Sequence, residues 1–553
     1  MAEGTTMTGQ IKQTLRDSAP MRWFILVLIS ILMFATYWFQ DFFSGLKPLM
    51  ESQLGITPSQ FGTLIGLTTI ANILGMVIVG GMILDKWGIR LTAFVFGSVA
   101  TIGGVLVALG ANDVFASDPG TRLKIMIAGR IIFGVGLETT CVLITRTIVK
   151  WFKGYELALA MAINMGIGRL GSALGTALSP DIANFDAPRA VTFAASLIAF
   201  GFILYIIYLI FDVRIDKQMK AADEEAGVEE EEEEFQFSDL GKLLTNKAFL
   251  LIAFLCVAFY SAVFPFMQYA PDLLVNKFGF SYNLPATARQ LTLFGSDILG
   301  NLSIYLGLFI FGVCFPLVPS NLKEKSHKIA SIVIMGILFF LFIWVFKDIL
   351  GAWLQNGPKA AALIPMGTIM FTPIFGKLVD SKGKAASIMI IGAVLLIFAH
   401  ITLSVLNSRA LGYMGLFSLG IAFSLVPAAM WPSVAKIVAE HRLGTAYATM
   451  FTIQNWGLGA FFWGIGKVAD VTNPEVVEKM QAIRNNYLAQ GLSNVEIGKK
   501  MEELRVAGEL PIYNYTIPIL MLVGLGIISI FLAFMLLKES KAKDIGLERP
   551  SNG

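Results

Sequence analysis

Along this chain, apolar runs of membrane-spanning length alternate with short polar joints. Crossing a hydrocarbon core takes about 20 residues of apolar helix. Runs of that kind begin near Trp23, Phe61, Leu91, Ile125, Leu157, Ala190, Ala248, Ile298, Ile329, Ala361, Ala385, Ala410, Gly444 and Asn514, fourteen in all. Short alternating strands at barrel spacing do not occur, which leaves a helical bundle and an all-α membrane protein as the expected class. The polar stretch up to Arg22 leads into the run Trp23 to Phe39 with no small-residue cleavage pattern behind it. That reads as a permanent first span rather than a cleavable leader.

Lysine and arginine in the short joints set the orientation. With the N-terminus in the cytoplasm, the inside joints collect Lys86 and Arg90, Lys150 and Lys153, Lys323, Lys325 and Lys328, then Lys377, Lys382 and Lys384. The outside joints hold one or two each, among them Lys47, Arg189, Lys359 and Arg409. Both termini are therefore expected on the cytoplasmic side. Residues 213–246 carry the acidic run Glu229 to Glu234 and read as a solvated tether. Residues 471–512 form a long outside loop in which Thr472-Asn473-Pro474-Glu475 and Ser493-Asn494 look like helix starts, so two short helices should cap that surface.

One joint occurs twice. GMILDKWGIR (Gly81 to Arg90) links the second and third runs, and GKLVDSKGK (Gly376 to Lys384) occupies a similar inside joint later. Gly81, Asp85 and Gly88, with Arg90 behind them, correspond to Gly376, Asp380 and Gly383. The glycines suit close helix approach, and the aspartate suits a helix cap or a base on the neighbouring half. A second echo agrees: Ile163-Asn164 follow Gly154 by nine and ten residues, and Ile453-Gln454 follow Gly444 by the same steps. Two copies of one joint argue for two related halves. The doubled motif resembles the signature of the major facilitator superfamily, which implies two six-helix halves and twelve core spans.

Two of the fourteen runs are then additional. The second motif closes the run near Ala361, which makes it core span eight, and the run from Ala248 becomes core span seven. The extra hairpin is the pair from Ile298 and Ile329. The resulting plan is a first half over 1–212, an acidic cytoplasmic linker over 213–246 and core span seven over 247–290. The inserted hairpin follows over 291–350, the rest of the second half over 351–540, and a basic cytoplasmic tail over 541–553.

Composition narrows the function. Of 553 residues, 56% are hydrophobic and 15% charged, against roughly 25% charged in soluble domains. The net charge of +3 and the lack of a basic stripe argue against a nucleic-acid partner. Cys141, Cys256 and Cys314 lie far apart in apolar runs, and His327, His400 and His441 have no ligand spacing. No metal, cofactor or catalytic residue is expected, and no nucleophile–base arrangement suggests an enzyme.

An ionisable residue near the bilayer centre is costly and marks a functional site by default. Glu138, in GVGLETTC, and Arg169, in GIGRLGS, lie sixteen and fifteen residues from the turn at Gly154. Both therefore stand about 23 Å from the inner end of an antiparallel hairpin, at a shared depth. Gly166, Gly168, Gly171 and Gly175 around Arg169 favour close packing on one face, which leaves the long side chain to another. The pair reads either as a structural bridge or as a cavity-facing pair that binds both ends of a zwitterion. Arg146, nearer the turn, reads as snorkelling to the inner surface. Asp41, beside Tyr37, lies near the outer end of span one. Tyr260, Trp431, Gln454 and Asn455 offer an opposing wall in the second half.

Three stretches carry a closer likeness: GVGLETTCVLITRTIVKWFKGYELALAMAINMGIGRLGS, FYSAVFPFMQYAPDLLVNKFGFS and MWPSVAKIVAEHRLGTAYATMFTIQNWGLG. They resemble the lysosomal dipeptide transporter family within that superfamily. The resemblance implies that Glu138 and Arg169 engage the amino and carboxylate ends of a dipeptide, with Asp41 matching the family's span-one aspartate. The hairpin, the loop 471–512 and the acidic linker depart from the family pattern, and no N-terminal dileucine signal is present. The expectation is a monomeric alternating-access carrier of short peptides in a bacterial inner membrane, with proton coupling open. The alternative is a carboxylate carrier or antiporter in which Arg169 holds the anion.

Overall fold

The computed structural model describes residues 14–115, 118–226, 237–439 and 442–550, and these are nearly all helical. The first half comprises α1 (Ala19–Leu54), α2 (Pro58–Gly66), α3 (Ile70–Ile73), α4 (Met76–Ala111), α5 (Pro119–Phe152), α6 (Leu157–Ile182) and α7 (Ala187–Ala226). A short α8 (Phe237–Thr245) leads into α9 (Lys247–Phe278). The hairpin α10 (Asp297–Asn321) and α11 (Lys325–Val345) follows, then α12 (Lys347–Leu354), α13 (Gly357–Ala361), α14 (Leu363–Lys382), α15 (Ala385–Ser404) and α16 (Arg409–Ile437). The chain closes with α17 (Leu443–Thr472), α18 (Pro474–Ala489), α19 (Asn494–Ala507) and α20 (Thr516–Ala542).

Among the described residues, eleven helical segments are long and apolar enough to cross a bilayer. The remaining expected runs explain themselves by sequence. The run from Phe61 is broken by a tight turn at Leu67–Thr69 and by Gly75 at φ +86°, and it resumes within α4. The runs from Leu157 and Gly444 form α6 and α17, which are diluted by glycine and polar residues.

Within the first half α1 packs on α6 and α7, and α4 on α5 and α7; within the second, α9 packs on α17 and α20, and α15 on α16 and α20. The halves meet along α1 with α9, α2 with α17, and α6 with α14. Glycines set the closest approaches. A Cβ on Gly45 would stand 2.2 Å from the Thr176 carbonyl oxygen, and one on Gly171 2.4 Å from that of Phe34. The inserted hairpin sits outside this core. Its α10 lies against both α6 and α14, with Phe309 over Gly166 and Gly312 against Ile369, while α11 buries no residue.

We call the face bearing Arg90, Lys150 and both described chain ends the inner face. There Gly88 (φ +71°) and Gly383 (φ +66°) supply the turn of each repeated joint. The close-approach role expected for the glycines fails at Gly81 and Gly376, since a side chain at either would meet open space. Asp85 lies three residues before the break at Gly88 and reaches Arg146 of its own half at 3.3 Å.

Two expectations about polar segments need correction. The tether expected over 213–246 is helical through Ala226 and again over Phe237–Thr245. Asp212 and Asp216 anchor this extension of α7, taking Lys150 at 2.6 and 2.5 Å, and both also pair with Arg90. The run Glu229 to Glu234 lies outside the described residues. The tail is a built part of the fold. Leu547 is fully buried, the Glu548 carboxylate accepts from the Ser387 amide at 3.1 Å and hydroxyl at 2.6 Å, and Lys436 donates to the Arg549 carbonyl. On the outer face, α18 and α19 form where the helix starts stood, and Ser493 and Glu496 close a reciprocal cap.

Candidate functional site

The site is clearest from the outer face inward. Lys47 on α1 is buried and pairs with Asp272 on α9 at 2.6 Å, and the Tyr515 hydroxyl donates to the same carboxylate oxygen. The Tyr513 hydroxyl donates to Glu51, Tyr282 donates to the Gly45 carbonyl at 2.8 Å, and Lys359 on α13 pairs with Asp181 on α6. Among the described residues, every ion pair that joins the two halves belongs to this outer cluster; those on the inner face stay within one half. Asp380 is exposed and makes no ion pair among the described residues. Among the described residues, the ion pairs that tie the halves together thus gather at the outer face.

One turn inward from Asp272, Gln268 donates to Asp41 Oδ1 at 2.8 Å, and the Ser172 hydroxyl donates to Oδ2 at 2.5 Å. Asp41 therefore ties α1 to α6 and α9 as a floor beneath the gate. Below it lies a cavity of about 210 Å³ between the halves. Tyr37, Asp41, Glu138, Arg169, Tyr260, Trp431, Gln454 and Asn455 all line it. The structure thus brings every residue of the expected site to one space.

Glu138 (α5) and Arg169 (α6) share this cavity without forming an ion pair with each other or with any described residue. The Arg169 guanidinium reaches across to the second half, 4.8 Å above the Phe423 ring, with Phe264 and Tyr37 each at 6.0 Å. Gly168, Gly171 and Gly175 hold α6 against α1, which frees the arginine's face. In the opposite wall Trp431 donates its indole N–H to the Tyr260 hydroxyl at 2.9 Å and stacks on Phe451 at 4.7 Å. The Gln454 side-chain oxygen accepts from the Cys256 thiol at 3.2 Å, and Asn455 donates to the Phe451 carbonyl at 2.8 Å. Such a space offers one guanidinium and one unpaired carboxyl group, Glu138, among aromatic rings, with Asp41 already held by Gln268 and Ser172.

Reading the sequence missed part of this lining. Thr68, Thr69 and Asn72 face the cavity from the broken second span, and Asn72 Oδ1 and Thr68 Oγ1 are buried without a partner. Gly134 allows this approach, since a Cβ there would stand 2.0 Å from the Thr68 carbonyl oxygen. A pair of threonines four and three residues before an asparagine, followed by Gly75, was the available signal. Arg130 was also missed. It is fully buried two turns outward from Glu138 on α5, donates to the Phe39 carbonyl at 2.8 Å and is ringed by Phe39, Phe43 and Phe133.

Comparison with known proteins agrees with this architecture. The family model of the Major Facilitator Superfamily matches residues 28–354. The chain is 25% identical to the human lysosomal dipeptide transporter MFSD1 over 456 residues, covering 81% of this chain and 80% of that protein. It is 24% identical to the Danio rerio protein of the same name over 459 residues, with 81% and 80% covered. Among solved structures, the E. coli xylose transporter XylE in a partially occluded inward-open conformation superposes with a TM-score of 0.55 at 12% identity, covering 94% of this chain and 97% of that one. With two helical halves around one central cavity and that match across more than half its length, the chain belongs to the Major Facilitator Superfamily and is a multi-pass membrane transporter rather than an enzyme.

Proposed function

We propose that the transported solute is a short peptide, dipeptides foremost, bound between Glu138 and Arg169 and moved by alternating access. The observation that carries this reading is that two opposite charges line one cavity and do not neutralise each other. A zwitterion with an ammonium at one end and a carboxylate at the other satisfies both. Arginine suits the carboxylate, because its planar fork donates two parallel hydrogen bonds. The aromatic wall of Tyr260, Phe264 and Trp431 gives side chains a tolerant surface. The name of the MFSD1 relatives supports the same substrate class. The lysine and arginine count directs the inner face to the cytoplasm, in a bacterial plasma membrane.

In this reading the repeated joints act as the inner gate. Asp85 and Asp380 exchange their present surroundings for cross-half partners when the outer face opens. The deciding experiment is uptake into liposomes by the purified protein, with dipeptides compared against dicarboxylates. Accumulation of labelled dipeptide, competed by other dipeptides and not by dicarboxylates, is the expected result. Dicarboxylate uptake alone would replace it with an organic-anion carrier in which Glu138 only orients Arg169.

A further inference from the structure

Around Lys47 the outer gate gathers two buried acids, Asp272 and Glu51, on one lysine. Lys47 and Asp272 are each 2% exposed and Glu51 is 9% exposed. Asp272 is richly served: Lys47 at 2.6 Å, the Tyr515 hydroxyl, and Asn276 Nδ2 at 3.0 Å. Glu51 stands 3.9 Å from the same ammonium, and among the described residues its one other polar side-chain partner is the Tyr513 hydroxyl. The single lysine therefore belongs to Asp272.

No other cation is committed to Glu51. From α19, Arg505 pairs with Glu502. From α18, Arg484 turns its guanidinium to the carbonyls of Ser52 and Gln53 at 3.2 and 3.1 Å. From α17 comes another acid, Asp470, which accepts from the Thr57 hydroxyl and the Ser59 amide. On the α6 and α13 side, Asp181 and Lys359 satisfy each other. Glu51 also occupies the last turn of α1, where the helix carries its partial negative charge. An ionised carboxylate in that place has to share one ammonium with the nearer Asp272 while out of water, a cost that proteins relieve by neutralising the group.

We propose that Glu51 is a proton-binding site of the transport cycle: the outer gate closes with uptake of one proton from the outer side and opens with its release. The proposal rests on the alternating-access reading above. In the closed gate, neutral Glu51 and the Tyr513 hydroxyl share a hydrogen bond that needs no counter-ion. When the halves part, water reaches Glu51, and the carboxylic acid gives its proton to the solvent. The closed state then binds one more proton than the open state, so acidifying the outer side favours closure. That makes the carrier's availability to outside solute respond to outside pH.

The test needs no substrate. In a variant with Cys141, Cys256 and Cys314 replaced by alanine, spin labels go on Val114→Cys and Val506→Cys, both exposed on the outer face of opposite halves. Double electron–electron resonance then reports outer-closed and outer-open populations between about pH 5 and pH 8. With one linked proton, the closed-to-open ratio rises toward about tenfold per unit of acidification. Glu51→Gln flattens that dependence, and Asp272→Asn, which frees Lys47 for Glu51, weakens it. Should Glu51→Gln fail to fold, Glu51→Met carries the same expectation. A flat wild-type profile, or a slope surviving in Glu51→Gln, overturns the proposal. Counterflow of labelled dipeptide separates the two ideas: counterflow with a pH-independent gate sinks this one alone. No second population at any pH, with no counterflow, sinks both.

Discussion

Arg169→Gln is the variant that bears most directly on the site. The guanidinium has three aromatic neighbours and no ion-pair partner among the described residues, so its removal takes no salt bridge from the fold. Losing a cation–π contact costs about 0.5–1 kcal/mol, so stability should fall by no more than about 1 kcal/mol. Half of a buried salt bridge would instead cost roughly 3–5 kcal/mol. Binding is a different matter. Hydrogen bonds to a charged group contribute about 1.5–3 kcal/mol, so dipeptide affinity should drop roughly 10- to 150-fold. Arg169→Lys should also lose affinity, because an ammonium keeps the charge and loses the fork. Thermal-shift titration with a dipeptide reads both quantities at once, since a ligand that binds only the folded state raises its melting temperature. Large destabilisation in Arg169→Gln and Glu138→Gln, cancelled in the double variant, would refute the reasoning. So would a double variant that still transports.

Lys47→Met leaves Asp272 buried without its ammonium and should weaken the closed outer gate by roughly 3–5 kcal/mol; maleimide labelling of a cysteine at Gln53 should accelerate, and an unchanged rate counts against the gate. Gly134→Ala forces a methyl to within 2.0 Å of the Thr68 carbonyl oxygen. It should cost roughly 1–3 kcal/mol of stability by overpacking, and a melting temperature equal to wild type would show that the second span is not held there. Deleting residues 544–553 removes buried Leu547, worth about 1.5–3 kcal/mol, and the Glu548 cap of α15, worth about 0.5–2 kcal/mol. The truncated protein should melt earlier by calorimetry, and no change would return the tail to solvent.

What was legible in the sequence followed from solvent. Apolar length exposed the spans, and charge inside apolar runs exposed Glu138 and Arg169, because a bilayer penalises both kinds of exception. The doubled joint located the seam of the repeat. Thr68, Thr69 and Asn72 stayed hidden because a hydroxyl or amide in a helix does not declare which face it occupies, and the break that aims them depends on packing against Gly134. Lys47 and Lys359 were read as joint charges, and counting bases in joints cannot tell an exposed lysine from one buried against an acid on another helix. The tail was misread for the same reason. Its basic composition concealed Leu547 and Glu548, whose partners lie more than a hundred residues away.

Arg484 gives the loop between α17 and α20 a dual allegiance. Its chain belongs to the second half, yet its guanidinium sits on the Ser52 and Gln53 carbonyls, which the end of α1 leaves without helical partners. A shape assembled from both halves exists only while the outer face is shut. Antibodies or nanobodies selected on the surface where α18 meets α1 should therefore recognise one conformation, and could serve as reagents that count it on intact cells.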